Sequence, residues 1–123
     1  MRRIKIDVTT AADGTATAYS PKVSGKVHSI HYLKDGTAAF SNGVGFTVTA
    51  EATGENIWTE AAVNAATARY PRAPTHSQAG AAALYAAAGE AVMDKIALAN
   101  DRAKIVIAAG GNAKKGQFLI LVD

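Results

Sequence analysis

The chain has 123 residues, a length that fits one domain of common size and allows a core without a disulfide or metal staple. It has no cysteine, which excludes disulfide bonds and thiolate metal sites. Its 13 basic and 10 acidic residues give a net charge of only +3, and the basic residues are scattered, which argues against a face that binds nucleic acid.

The first third of the chain predicts three strands. Residues 4–8 alternate apolar and polar side chains, as a half-buried strand does. Asp13-Gly14 provides a turn, so residues 15–19 predict a second strand that pairs with the first. Residues 25–34 predict a third strand. Because charged residues follow Met1 at once, we expect no secretion signal.

The middle of the chain has the most regular alternation. Residues 44–51 predict a strand with one apolar face, formed by Val44, Phe46, Val48 and Ala50. Phe40, in the loop before it, is a candidate for an inward-facing anchor. A turn at residues 53–56 leads into another predicted strand, which begins at residue 57.

Residues 79–100 are ambiguous. A four-residue apolar repeat favours a helix; it comprises Leu84, Ala88, Val92 and Ile96. Gly80 and Gly89 bracket the alanines and favour a break. We expect a loop or one short helix near residues 79–89 and then a strand, with a long helix as the alternative. The most apolar stretch, residues 79–89, has about half of the ~20 apolar residues that cross a bilayer, so we expect no membrane span.

The last part of the chain predicts a hairpin. Residues 104–108 and 118–122 are apolar and flank a turn cluster at residues 110–116. The unbroken apolar run at 118–122 indicates a strand that is buried on both faces. Together the elements predict a mainly β fold, a single antiparallel β-sandwich or jelly-roll-like domain over residues 1–123.

The histidines do not indicate a metal or catalytic site. On a strand, His28 and His31 would point to opposite faces because they are an odd number of residues apart, so we predict packing and hydrogen bonding for both. His76 precedes Ser77 without a Gly-x-Ser-x-Gly elbow, and we expect Thr75 and His76 to hold their loop through backbone hydrogen bonds.

Other patterns also lack essential parts of a site. Gly111 and Gly116 have the spacing of a phosphate loop, but Gln117 and Phe118 follow where Lys and Ser or Thr are needed. No carboxylate pair is arranged for glycoside hydrolysis. We therefore predict no enzyme activity, no catalytic residue, no metal and no cofactor. The aromatic residues could form a stacking platform for ligands; they are Tyr19, Tyr32, Trp58, Tyr70 and Tyr85.

Four segments carry a resemblance to a known class of proteins. They are YPRAPTH at 70–76, GAAALYAA at 80–87, DKIALANDR at 94–102 and KIVIAAGGN at 104–112. With them the chain resembles small virion structural proteins of tailed phages and prophages, and most of all the capsid decoration, or cement, class. These segments are turns and core strands, without a catalytic signature.

The resemblance implies a protein of the capsid surface, assembled in the host cytoplasm. Its expected partners are the major capsid protein and copies of itself, with no membrane and no specific nucleic acid. Arg and Tyr are frequent interface anchors, so the interface candidates are Arg2, Arg3, Tyr70 and Arg72. The alternatives are a neck or tail protein of the virion, or a small β-sandwich module that binds a sugar or single-stranded nucleic acid through its tyrosines.

Overall fold

The computed structural model describes residues 1–123 and contains ten strands and no helix. The prediction of a mainly β fold is therefore confirmed. No helix that is long and apolar enough to cross a membrane is present. The strands are β1 (Arg2–Thr9), β2 (Ala16–Tyr19), β3 (Val23–Lys34), β4 (Val44–Ala50), β5 (Asn56–Val63), β6 (Thr67–Arg69), β7 (Arg72–Pro74), β8 (Met93–Asp101), β9 (Ala103–Ala108) and β10 (Lys115–Val122).

The strands form two antiparallel sheets. Six strands make one sheet in the order β1-β10-β3-β8-β7, with β6 also paired to β3. The other sheet has the order β2-β9-β4-β5. Two predicted pairings are wrong, because β2 pairs with β9 instead of β1, and β9 and β10 lie in different sheets instead of forming a hairpin.

The chain changes sheets at six connections, and two of them, β1–β2 and β9–β10, are bound to each other. The hydroxyl of Thr10 donates to the carbonyl of Gly111 at 2.6 Å and accepts from the backbone N–H of Lys114 at 2.8 Å. The backbone N–H of Gly110 donates to the carbonyl of Gly14 at 2.9 Å. The turns at 11–15 and 109–114 thus form one corner, which sends β2 and β9 together into the four-stranded sheet.

Both sheets contribute to one cluster of 23 buried apolar residues. At its centre, the ring of Tyr32 from β3 lies 4.8 Å from that of Phe46 on β4, and Phe46 lies 5.0 Å from Phe118 on β10. Aromatic pairs of this kind each contribute about 0.5–1.5 kcal/mol beyond their buried area. Phe40 is buried beside them, as predicted, and the apolar face of β4 is buried as its alternation indicated.

The short helix near residues 79–89 is not formed. Hydrogen-bonded turns close at Gly80 and Gly89, and Ala88 adopts a φ of 58°, which interrupts any helix. The four-residue repeat fails because a helix needs a core against which to pack its apolar face, and no residue from 79 to 89 is buried. The strand predicted after this segment is present as β8.

Candidate interaction surface

A β-bulge brings the two central histidines together. Leu121 of β10 lies opposite Ser29 of β3, but the next residue, Val122, lies opposite Val27, so His28 is the extra residue. The Nδ1 atom of His28 lies 3.3 Å from the Ser29 hydroxyl oxygen, and the Nε2 atom of His31 lies 3.1 Å from it. The prediction that these histidines diverge is therefore wrong, because strand parity does not hold across a bulge.

Tyr70 covers this pair. Its ring meets those of His28 and His31 edge-on, with centroid distances of 5.7 and 6.3 Å. The three rings enclose Ser29, which is 0% exposed, while Tyr70 itself remains 57% exposed. Tyr70 therefore presents a large apolar ring to solvent on a base fixed by the histidines.

The position of Tyr70 depends on the arginines on either side of it. Arg69 binds Glu60 of β5 through two hydrogen bonds of 2.7 and 2.8 Å, which link β6 to the other sheet. The Arg69 guanidinium holds the pKa of Glu60 below its usual value. Arg72 donates to the backbone carbonyls of His28 at 3.1 Å and Pro71 at 2.7 Å. Arg72, an interface candidate, thus ties the segment that follows Tyr70 to β3.

The two N-terminal arginines lie on opposite sides of their sheet. Arg3 is opposite Leu121, which is opposite Ser29, so Arg3 shares a row with the ring cluster. Arg2 is opposite Val122, whose side chain is buried in the core, so Arg2 lies on the other side. The structure therefore brings Arg3, Tyr70 and Arg72 to one side of the six-stranded sheet and does not bring Arg2 with them.

We call this side of the six-stranded sheet, away from the core, the outer face. Its members are Arg3, Lys5 and Asp7 on β1, Leu119 and Leu121 on β10, His31 and Leu33 on β3, and Tyr70. Leu119 and Leu121 are only half-buried, so β10 is not buried on both faces as its apolar run predicted. The apolar run at 118–122 is the sequence signal for an apolar outer face, because it places leucines on the side of β10 that faces away from the core.

One end of the outer face forms an open polar cleft of about 570 Å³. Its lining includes Asp7, Lys34, Asp35 and Lys115. Asp35 caps its own loop, and hydrogen bonds from the backbone N–H groups of Ala38 and Thr37 hold its pKa below the usual value. That carboxylate is therefore committed to the backbone donors of its own loop.

A second exposed region is the segment of residues 75–92 between β7 and β8, which we call the arm. Backbone hydrogen bonds join Thr75 to Val92 and Ala83 to both of them. No residue of the arm is buried, and Glu90 is its one charged residue. Tyr85 is 75% exposed and Leu84 is also exposed, so the arm is an apolar projection without a core of its own.

The remaining candidate chemistry has structural roles. The Thr75 hydroxyl donates to the carbonyl of Val92 at 2.8 Å, as predicted for a residue that holds this loop. The Ser77 hydroxyl accepts from the backbone N–H of Ala81 at 3.1 Å. No group of three or more histidine or carboxylate side chains is placed to hold a metal ion.

The aromatic residues do not form one platform. Tyr32 and Trp58 are buried in the core, and burial raises the pKa of Tyr32. Tyr19 lies on β2 with the guanidinium of Arg102 3.9 Å from its ring centre. Tyr70 and Tyr85 are exposed, on the outer face and the arm respectively.

Comparisons with known proteins give little. No protein-family profile matches the chain, and no curated protein matches it. Among solved structures, the crystal structure of FLHE aligns over 97% of this chain and 94% of its own, at 10% identity and a TM-score of 0.43. A likeness at this level carries no argument about fold or function.

Proposed function

We propose that this chain is a virion structural protein of a tailed phage or prophage. In this proposal it is a capsid decoration protein that binds the outside of the major-capsid lattice, in contact with copies of itself, and stabilises the head. Its fold in finer terms would be one antiparallel β-sandwich or jelly-roll-like domain over residues 1–123. The segments quoted above for the resemblance are the starting point of the proposal.

The observation that carries it is the distribution of exposed apolar side chains. Five of the seven large apolar residues that are exposed belong to β3, the residues beside β6 and β7, the arm or the start of β8; they are Leu33, Tyr70, Leu84, Tyr85 and Met93. Exposed apolar side chains that lie together often mark sites of protein–protein contact; Leu33 and Tyr70 share the outer face, and Leu84 and Tyr85 are neighbours in the arm. A subunit that repeats across a shell needs only modest contacts of this kind, because avidity adds them together.

The charge of the chain is compatible with this role. A net charge of +3 favours approach to an acidic surface, and Arg3 and Lys5 place part of that charge on the outer face. Arg3 and Tyr70 are the candidates that can contact a partner there. Arg72 ties the segment that follows Tyr70 to β3.

The decisive experiment measures copy number and position in purified particles. We expect hundreds of copies on the outside of the head, seen by quantitative mass spectrometry and electron microscopy, since decoration follows the repeat of the lattice. A copy number of about a dozen at one vertex or along the tail would instead assign the chain to the neck or tail.

A binding assay with empty shells tests which surface makes the contact. Tyr85→Ser and Tyr70→Ser should each weaken binding to shells of the major capsid protein by about tenfold or more, because exposed Tyr is a frequent hot spot. The matched control is Thr59→Ser, an exposed position on the four-stranded sheet. Unchanged binding by both tyrosine variants would contradict the proposed surface.

The ligand-binding alternative now depends on Tyr70, because Tyr32 is in the core. Calorimetric titration with oligosaccharides and with single-stranded oligonucleotides tests it. Binding that Tyr70→Ala abolishes would favour the alternative, and no binding by the unmodified protein would end it.

A further inference from the structure

Strand β1 is a free edge of unusual regularity. It pairs only with β10, over all eight residues and without a register shift. Other edge strands are interrupted or short: β5 has two register shifts against β4, β2 has four residues, and β7 has three residues and contains Pro74. A long regular edge is a template for pairing with another strand unless its side chains prevent it.

The side chains of β1 alternate between two chemistries. Ile4, Ile6 and Val8 face the core, whereas the outer-face side is formed by Arg3, Lys5, Asp7 and Thr9. Lys5 and Asp7 are 4.0 Å apart and are 60% and 73% exposed. Their ion pair is therefore weak. Asp7 also accepts a hydrogen bond from the side-chain amide of Gln117 at 3.0 Å through its Oδ1 atom, so its Oδ2 atom and the Lys5 ammonium are the groups that can meet a partner across the edge.

Antiparallel pairing of β1 with a second copy would obey two-fold symmetry, in which one residue lies opposite itself. With Ile6 at the centre, Lys5 lies opposite Asp7 of the second copy, and this ion pair occurs twice. In the same register Ile4 lies opposite Val8, so the apolar rows of the two copies also join. Arg3 then lies opposite the neutral Thr9.

Neighbouring registers are less favourable. With Lys5 at the centre two lysines oppose each other, although Arg3 then lies opposite Asp7, and with Asp7 at the centre two carboxylates oppose each other. A shift of one residue places Lys5 opposite Ile6 and sets charged side chains against the apolar row. The order of charges on β1 therefore favours the register centred on Ile6, which has two attractive pairs and no repulsive pair.

We propose that β1 is a homodimer interface, through which two copies join their six-stranded sheets into one continuous sheet with Ile6 at the two-fold axis. The inference rests on the self-association part of the proposed function and not on the capsid. It is tested in solution without particles, so its failure and that of the decoration role are distinguishable.

A charge swap tests the register. In sedimentation equilibrium at low ionic strength, K5D and D7K should each raise the dimer dissociation constant by about tenfold or more, because two attractive pairs become repulsive. The double variant K5D/D7K restores opposite charges and should return to within about threefold of the unmodified protein. The matched control K22D makes the same charge change away from β1 and should leave the constant unchanged.

Disulfide trapping gives an independent measurement. The chain has no cysteine, so the Ile6→Cys variant carries a single thiol. Oxidation of this variant should give a covalent dimer, because the paired Cα atoms would lie within the span of a disulfide. Lys5→Cys, displaced by two residues from its own symmetry mate, should crosslink poorly. A monomeric unmodified protein, or single charge variants that dimerise as well as the double variant, would overturn the proposal.

Discussion

Ser29 shows how one buried hydroxyl organises the outer face. A hydroxyl has one proton to donate and lone pairs to accept, so it can join two neutral imidazoles when one accepts and the other donates. The Nδ1 atom of His28 and the Nε2 atom of His31 both lie within hydrogen-bond distance of the Ser29 hydroxyl, and Tyr70 closes the cluster from outside. The exposed ring therefore depends on a contact that is itself hidden from solvent.

Removal of that hydroxyl should destabilise the protein. In Ser29→Ala both imidazoles lose a partner, and we expect the free energy of unfolding to fall by about 1 kcal/mol. Urea unfolding followed by the fluorescence of buried Trp58 measures this. Ser41→Ala, at an exposed position, should change stability by less than about 0.5 kcal/mol. Equal effects of the two substitutions would mean that the Ser29 contacts contribute nothing.

Gly25 is a residue that its position makes irreplaceable. Its φ is +145°, and a Cβ there would overlap the carbonyl oxygen of Asp123 and lie 2.8 Å from a methyl of Val122. We expect Gly25→Ala to lower the free energy of unfolding by about 2 kcal/mol or more. Gly36→Ala provides the control, since no atom lies within 4 Å of the added Cβ. If thermal melting shows the same stability for both variants, the close approach of β3 and the chain end is wrong.

At the scale of elements, the arm is an addition to the fold and not a part of its core. Thr75 and Val92 are joined by a backbone hydrogen bond, and everything beyond them is exposed or half-exposed. A two-residue turn could therefore join these positions in a continuous β7–β8 hairpin.

Deletion of the arm is expected to leave the fold intact. Replacement of residues 76–91 by Asn-Gly should keep the free energy of unfolding within about 1 kcal/mol, because a shorter loop costs less entropy and no buried residue is lost. Circular dichroism and urea unfolding measure this. Loss of the cooperative transition would show that the arm is needed for folding, whereas retained stability with lost shell binding would assign it to the interface.

The strands could be predicted from the sequence far better than their partners. Alternation at Ile4, Ile6 and Val8 places β1 correctly, but its pairing with β10 joins opposite ends of the chain and leaves no local signal. The corner around Thr10, which parts β1 from β2, depends on a contact about a hundred residues distant. Turn residues indicate that a chain reverses but not which sheet it enters.

The candidate surface was predictable in part. Arg3, Tyr70 and Arg72 are interface candidates by residue type alone, and the structure places them on one side of the six-stranded sheet. The pairing of His28 with His31 was missed, because one extra residue in a strand reverses the parity on which the prediction depended. Leu119 and Leu121 did give a signal, but an apolar run alone does not distinguish burial in the chain from an exposed contact surface.

At the scale of the whole molecule, several carboxylates have a lower pKa in the folded state than in the unfolded chain. Arg102 holds the pKa of Glu51 below its usual value, Arg69 does so for Glu60, and Lys95 does so for Asp123. A lowered folded pKa contributes stability that is present above the unfolded pKa and is lost as pH falls through the folded pKa. The side chains of these pairs are between 29% and 48% exposed, so solvent screens the charges and each contribution is small.

We therefore expect the urea midpoint to be constant near neutral pH and to fall as pH drops below about 4.5, the ordinary value of a glutamate. Added salt should reduce the effect, since it screens exposed pairs. The double variant Glu51→Gln/Glu60→Gln should show a shallower fall than the unmodified protein. Identical profiles would mean that these pairs do not couple folding to protonation.

The place of β10 has a consequence for how the six-stranded sheet can form. It is the last strand along the chain, yet it lies between β1 and β3 instead of at an edge. Until it forms, those two strands have no bridge between them and the larger sheet cannot close. Closure of the larger sheet therefore depends on pairings between distant parts of the chain, and non-local pairings of this kind slow the folding of β proteins. Loss of the residues of β10 would divide the six-stranded sheet, whereas loss of an edge strand would only make the sheet narrower.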